Sequence, residues 1–181
     1  AVVVVDVIRA FTTAAYALAA GAAEIHLVDS VDEALAFKAS HPGALAVGED
    51  RGLMPAGFDL PNSPVLAAQA DLADRVLVQR TSAGTRGVIA ARSATRLWCT
   101  GLATASATAA AVRASGLGEP AFVITGRIAD RPDRPGTDDL ITARFIDALV
   151  HGDSADADAA ASAVAATGEA ARTLALGDDH V

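Results

Sequence analysis

The chain is predicted to be an α/β protein, three layers deep (α/β/α), with a mostly parallel or mixed central sheet. Three observations predict this. Short β-rich runs alternate with helical patterns along the 181 residues, and such alternation gives parallel strands covered on both faces. Cap and turn residues fall where the two patterns meet. Apolar residues make up 52% but aromatics only 4%, so Ala, Val, Leu and Ile must build the core, and the alanine surplus suits helices lying close on a sheet.

Each element follows from local chemistry. Val2–Val5 is a run of four β-branched residues and reads as a buried strand. A helix near 11–20 follows and is stopped by Gly21. A strand at 25–28 precedes Ser30-Val31-Asp32-Glu33, a capping box that opens a helix to about Ala39. A strand at 44–47 leads into a long polar loop, and Ser63-Pro64 then starts a helix with a cap and a first-turn proline. Next come a strand at 76–79, a helix near 86–92, a strand at 97–99 and a helix at 103–114. A strand at 121–125 precedes a Pro/Gly/Arg-rich loop and an amphipathic helix at 138–150, with Leu140, Ala143, Ile146 and Leu149 or Val150 inward. The alanine-rich 154–176 segment is helical, and one domain over 1–181 is expected.

Bulk properties exclude several classes. A net charge of −8 argues against a general nucleic-acid binder, which needs a basic face. No apolar run approaches the ~18 residues of a membrane span. Lys38 is the only lysine and the other 13 basic residues are arginine, so side-chain recognition of an anion falls to guanidinium groups. Cys99 is the lone cysteine, which rules out an intrachain disulfide and fits a reducing cytoplasm. In its strand it is expected to be a buried, inert thiol. The four histidines share no spacing and are assigned to structural or solvent roles.

The chemistry-bearing residues follow predicted strands, so they are expected to gather at the carboxyl edge of the sheet, where ligands bind in open α/β folds. Asp6, Arg9, Thr12 and Thr13 follow the first strand; Gly48-Glu49-Asp50-Arg51-Gly52 follows the third. Arg80-Thr81-Ser82-Ala83-Gly84-Thr85 precedes a helix, an arrangement that offers backbone N–H groups and a helix N-terminus to an anion. It is not a Walker A loop, since GxxxxGK[ST] is absent. Asp6, Glu49, Asp138 and Asp139 come from three loops, and hard oxygen donors without His or Cys favour Mg2+ over zinc. For Asp139 a first-turn helix charge is an equal alternative. An acid closing a buried strand, as Asp6 does, is costly unless something binds it. Ile8 stands where a haloacid-dehalogenase-type phosphatase has its second acid, and no GxGxxG follows the first strand.

Together, Asp6-Val7-Ile8-Arg9-Ala10, Gly48-Glu49, Gly57-Phe58-Asp59-Leu60-Pro61-Asn62-Ser63-Pro64, the 81–85 turn and Thr137-Asp138-Asp139 resemble the 2-phosphosulfolactate phosphatase family over nearly the whole chain. The resemblance implies a three-layer fold that hydrolyses a phosphate monoester with Mg2+, in the family's case phosphosulfolactate to sulfolactate on the route to coenzyme M. It carries Asp6, Arg9, Glu49, Asn62, Ser63, Gly84, Thr85 and Asp139 into the site. Two positions depart from the pattern: Pro61 replaces the usual glycine, and Ala83 the usual asparagine. The pattern also extends beyond both ends, so flanking segments are expected to be absent from these 181 residues.

The resulting expectation is a phosphatase for a small anionic phosphorylated acid. Asp6, Glu49 and Asp138 or Asp139 hold Mg2+. Arg9, Thr81, Ser82 and the Gly84 and Thr85 amides neutralise the phosphoryl group, Asn62 and Ser63 bind substrate, and Arg127 or Arg51 takes its acidic end. The alternatives are a phosphatase for another phosphorylated carboxylic acid and a non-catalytic anion-binding or regulatory relative. The helix-covered, alanine-rich surface would tolerate a homodimer.

Overall fold

Val2–Val5 (β1) is the middle strand of a three-stranded parallel sheet, between Leu97–Thr100 (β6) and Ala121–Ile124 (β7). The structure is a computed structural model that describes residues 1–127 and 134–177. Most of the Pro/Gly/Arg-rich loop after β7, and His180, lie outside the described residues. The remaining strands are Glu24–Leu27 (β2), Leu45–Gly48 (β3), Leu60–Pro61 (β4) and Val76–Arg80 (β5). They form a second parallel sheet in the order β2-β5-β3-β4. Every pairing in these two sheets is parallel, as the alternation predicts, but the strands are divided between two hydrogen-bonded sets.

The central strands of both sheets are buried on two faces, which is why β1, β3 and β5 read as largely apolar runs. Val3 and Val5 pack towards Val112, Ala143 and Val164, while Val4 packs on Ala10 and Phe11. In the second sheet Leu77 and Val47 face Ala17 and Ala67, whereas Val78 and Ala46 face Ala34 and Phe58. Val3, Val4 and Val5 are wholly buried, each contributing roughly 1.5–3 kcal/mol. The helix Ala10–Ala19 (α1) bridges the two sheets. Its first residues close on β1, and Ala17 closes on β3 and β5.

The helices Val31–Ser40 (α2), Pro64–Gln69 (α3), Gly84–Ala91 (α4), Ala105–Ser115 (α5) and Thr137–His151 (α6) fall close to their predicted places. Ser30 Oγ accepts the Glu33 N–H at 3.1 Å, and the Glu33 carboxylate accepts from Asp29 N–H. Ser63 Oγ caps α3 by accepting from Leu66 N–H. The 154–176 segment is divided into Ala157–Ala165 (α7) and Gly168–Leu174 (α8), because Thr167 Oγ1 accepts from Ala170 N–H and starts a new helix.

Two expectations need correction. The long loop after β3 contains a further strand, β4, which pairs with Val47 and Gly48. Pro61 is tolerated there because β4 is an edge strand and needs no outward donor. Cys99 is exposed, not buried, because β6 is also an edge strand. Desolvation of the thiol nevertheless pushes its pKa up to about 11, which keeps it protonated and unreactive at neutral pH.

Candidate active site

The acids lie at the carboxyl ends of β1 and β3 and at the start of α6, beside the turns that follow β5 and β7. Asp6 ends β1, and its own N–H donates to Thr100 O. Its Oδ1 accepts from Ala10 N–H at 2.9 Å in the first turn of α1. Its Oδ2 lies 3.0 Å from the Thr125 hydroxyl, and the Gly84 N–H also donates to this carboxylate. Asp139, at the start of α6, accepts from Val7 N–H on Oδ1 and from Gly126 N–H on Oδ2, both at 2.8 Å. Backbone amides therefore fix both carboxylates.

Thr125 joins the pair. Its hydroxyl lies 3.0 Å from Val5 O, 3.0 Å from Asp6 Oδ2 and 3.4 Å from Asp139 Oδ2. One hydroxyl hydrogen cannot serve three acceptors. Two buried carboxylates meeting at one hydroxyl require either a retained proton or a cation.

The electrostatics agree. Burial is the main cause raising the Asp6 pKa, and Glu49 adds to it. The Ala10 amide, the Thr125 hydroxyl and the Gly84 amide oppose it. Asp139 is pushed up to about 8 by burial, then by Asp6 and Asp138. Asp138 is raised to about 6, first by burial and then by Glu169 and Asp6; its buried Oδ1 has no hydrogen-bond partner. Arg9 is buried, which lowers its pKa, while Glu49 and Asp6 favour its charged form. Its charge therefore acts on Glu49 and Asp6.

The other predicted residues are placed differently. Glu49 faces the turn after β5: Oε1 accepts from Ser82 N–H, and Oε2 accepts from Ser82 Oγ–H and Gly52 N–H. The turn itself is closed by a Thr pair. Thr81 N–H donates to Thr85 Oγ1, Thr85 N–H to Thr81 Oγ1, and the Thr85 hydroxyl to Thr81 O. The amides expected to cradle a phosphate are thus held by protein oxygens, Gly84 on Asp6 and Thr85 on Thr81. Asn62 is buried, with Oδ1 lacking a partner, and the buried Ser63 caps α3. Arg127 is exposed on the rim and forms a backbone bridge with Pro135.

Glycine is required where chain and carboxylate touch. A Cβ on Gly84 would lie 2.6 Å from Ala10 Cβ and 2.8 Å from Asp6 Oδ2. Thr125 was absent from the sequence-predicted set, and its place directly after a strand, at the edge carrying the acids, is the signal that could have found it. Beside the site, Ile8, Arg9, Thr12, Leu102 and Phe145 help line a cleft of about 660 Å3.

Metal-ligand geometry separates these acids from another group. Among the described residues, the set of three with ligand atoms within 4.8 Å of one another is Glu119, Asp147 and His151, all exposed. Asp6, Glu49, Asp138 and Asp139 do not form such a set. At the buried edge, the groups that could hold a hard ion are the Asp6 and Asp139 carboxylates, which share Thr125 Oγ1. Mg2+ commonly takes one or two carboxylates and fills its remaining positions with water and phosphate. Two other histidines are structural, with His26 and His41 rings 4.6 and 4.0 Å from Phe37.

Residues 1–177 match the family model described as 2-phosphosulpholactate phosphatase. The chain belongs to this family. A Bacillus subtilis protein named "Probable 2-phosphosulfolactate phosphatase" is 38% identical over 150 residues, covering 83% of this chain and 64% of its own length. A protein of the same name from Thermus thermophilus is 43% identical over 143 residues, covering 78% of this chain and 58% of its own. One from Deinococcus radiodurans is 38% identical over 144 residues, covering 79% and 58%. The chain thus spans less than two thirds of the length of these phosphatase-family relatives. Its two departures from the family pattern sit in backbone roles, Pro61 on edge strand β4 and Ala83 at the N-terminal boundary of α4, without a side-chain cap.

Proposed function

We propose that this chain carries the catalytic centre of a Mg2+-dependent phosphatase that hydrolyses 2-phosphosulfolactate, or a closely similar acidic phosphomonoester, to the hydroxy acid and inorganic phosphate. The observation that carries the reading is the pair of buried, amide-pinned carboxylates, Asp6 and Asp139, meeting at Thr125 Oγ1, with the Arg9 charge acting on Asp6. The relatives' names supply the substrate.

In this reading Asp6 and Asp139, with Thr125 Oγ1, would hold the ion, and Asp138 would contribute negative potential from the first turn of α6. The ion would supply charge to offset the phosphoryl group and to acidify water. Arg9 neutralises charge on the ester. Its fork geometry suits phosphoryl oxygens, and burial strengthens the attraction. The N–H donors of Ala10, Val7, Gly84 and Gly126 keep the acid lone pairs aimed without any rearrangement during reaction. Arg127, exposed at the rim, takes the carboxylate or sulfonate end of the substrate. A purely anion-binding role is disfavoured, because the 81–85 amides that would bind the anion already serve Asp6, Glu49 and the Thr pair.

Phosphate release from 2-phosphosulfolactate and a panel of phosphorylated hydroxy acids, with and without Mg2+, tests the proposal. Metal-dependent turnover that disappears in Asp6→Asn is the expected result. Tight anion binding without turnover by the wild-type chain would sink it.

A further inference from the structure

Glu49 differs from the other acids of the rim in what holds it. Its carboxylate accepts three short hydrogen bonds: Ser82 N–H at 2.5 Å on Oε1, and Gly52 N–H at 2.6 Å and Ser82 Oγ–H at 2.9 Å on Oε2. Ser82 Oγ in turn accepts from Arg51 N–H at 2.9 Å. Arg80 Nη1 supports the same loop, donating to Glu49 O and to Asp50 Oδ1, each at 2.8 Å.

The loop itself is a two-residue hairpin. Asp50 and Leu53 exchange backbone hydrogen bonds, and Arg51 and Gly52 at its tip have φ of 53° and 88°. One carboxylate therefore ties this hairpin to the 81–85 turn. The turn carries Gly84, whose N–H donates to Asp6 and whose α-carbon leaves no room for a methyl group beside Asp6 Oδ2. A path runs from Glu49 to Ser82 by hydrogen bonds, along the 82–84 backbone to Gly84, and from Gly84 to Asp6. Charge-assisted bonds of this kind are about twice as strong as neutral ones. Swinging the Glu49 carboxylate towards an ion would break three of them.

We propose that Glu49 is a positioning residue: it locks the 50–53 hairpin to the 81–85 turn, sets Asp6 through Gly84, and does not ligate the metal. Ser82 accordingly serves Glu49 and not the substrate. Only the kinetic arm of the test rests on the phosphatase reading.

Amide hydrogen exchange of the full chain, with and without Mg2+, reads the clamp directly. The Gly52 and Ser82 amides are expected to be protected equally in both conditions. In Glu49→Gln the side chain keeps one acceptor oxygen, and its NH2 faces a donor, so exchange at these two amides should rise roughly tenfold or more. The kinetic arm is a double-mutant cycle of Glu49→Gln with Ser82→Ala. Residues acting as one unit are non-additive, so the double variant should be within about twofold of the worse single variant in kcat/KM. If Glu49→Gln fails to fold, Ser82→Ala alone decides: kcat should fall roughly tenfold with KM unchanged. Unchanged exchange in Glu49→Gln, protection that appears only when Mg2+ is added, an additive cycle, or a KM rise without a kcat loss in Ser82→Ala would each overturn the proposal. A wild-type chain that releases no phosphate defeats the phosphatase reading instead, and the exchange measurement still judges the clamp.

Discussion

Two groups of acids sit at opposite ends of α6. At its start, Asp138 and Asp139 are buried beside Asp6; at its end, Asp147 and His151 meet Glu119 in the open. The exposed group has the tighter ligand geometry, with His151 Nε2 3.2 Å from Glu119 Oε1 and Nδ1 3.7 Å from Asp147 Oδ1. Water solvates those charges, so their closeness demands no ligand. The buried group is looser but desolvated, and Asp6 and Asp139 hang on four backbone amides, Asp6 on those of Ala10 and Gly84 and Asp139 on those of Val7 and Gly126. Burial of two carboxylates at one hydroxyl is what makes the pair call for a proton or a cation. On the proposed reading, proximity of ligand atoms is a weaker guide to this protein's chemistry than desolvation with fixed lone pairs.

The comparison can be broken most directly by mutation at each end. Asp6→Asn is expected to lower phosphate release at least about 10³-fold, equivalent to roughly 4 kcal/mol of barrier. His151→Ala should leave it within about twofold. A reversed ranking would make the exposed group the working site.

Packing around the buried acids gives the next effect. Gly84→Ala forces a methyl group to within 2.6 Å of Ala10 Cβ and 2.8 Å of Asp6 Oδ2, so unfolding in urea should show a loss of about 1–3 kcal/mol. A wild-type midpoint in that variant would show that the turn does not press on Asp6.

Proton linkage sharpens the contrast further. Asp139 and Asp138 are raised to about 8 and about 6 in the folded chain, from 3.8. A folded pKa above the unfolded one gives stability that is complete below about pH 4 and is lost as pH rises through the folded value. The Tm of the metal-free chain should therefore fall between pH 4 and 8. Added Mg2+ should raise Tm more at pH 8 than at pH 5, because binding favours the ionised acids. His151, also raised, chiefly by the Asp147 carbonyl, shifts stability in the same direction. The trend must therefore persist in His151→Ala if the buried acids cause it.

The smallest effect lies on the clamp hairpin. Arg51 at φ 53° occupies a conformation that Asn adopts more readily, and Arg51→Asn should stabilise the chain by about 0.5–1 kcal/mol in thermal melts. A loss of stability there would mean that the arginine side chain holds the hairpin.

Much of the scaffold was legible because its signals are local. The valine run of β1, the Ser30 and Ser63 caps and the Gly21 stop each act within a few residues, and each lies where it was read. Two local readings failed where a neighbour decided. Pro61 looked like loop, yet it pairs as an edge strand because Gly48 lies beside it. Cys99 looked buried from its apolar neighbours, yet the strand order leaves it at an edge.

The sequence by itself determined the α/β class, the order of strands and helices, and which loops carry acids and arginines, since residue type and spacing fix these over short range. Only the tertiary structure decided which of those acids meet. It brought Asp6 to Asp139 across Thr125, turned Glu49 onto Ser82, and drew the 81–85 amides onto protein oxygens. Hydrogen-bond partners 119 residues apart along the chain, as Asp6 and Thr125 are, are chosen by strand register and helix packing, which no local pattern encodes.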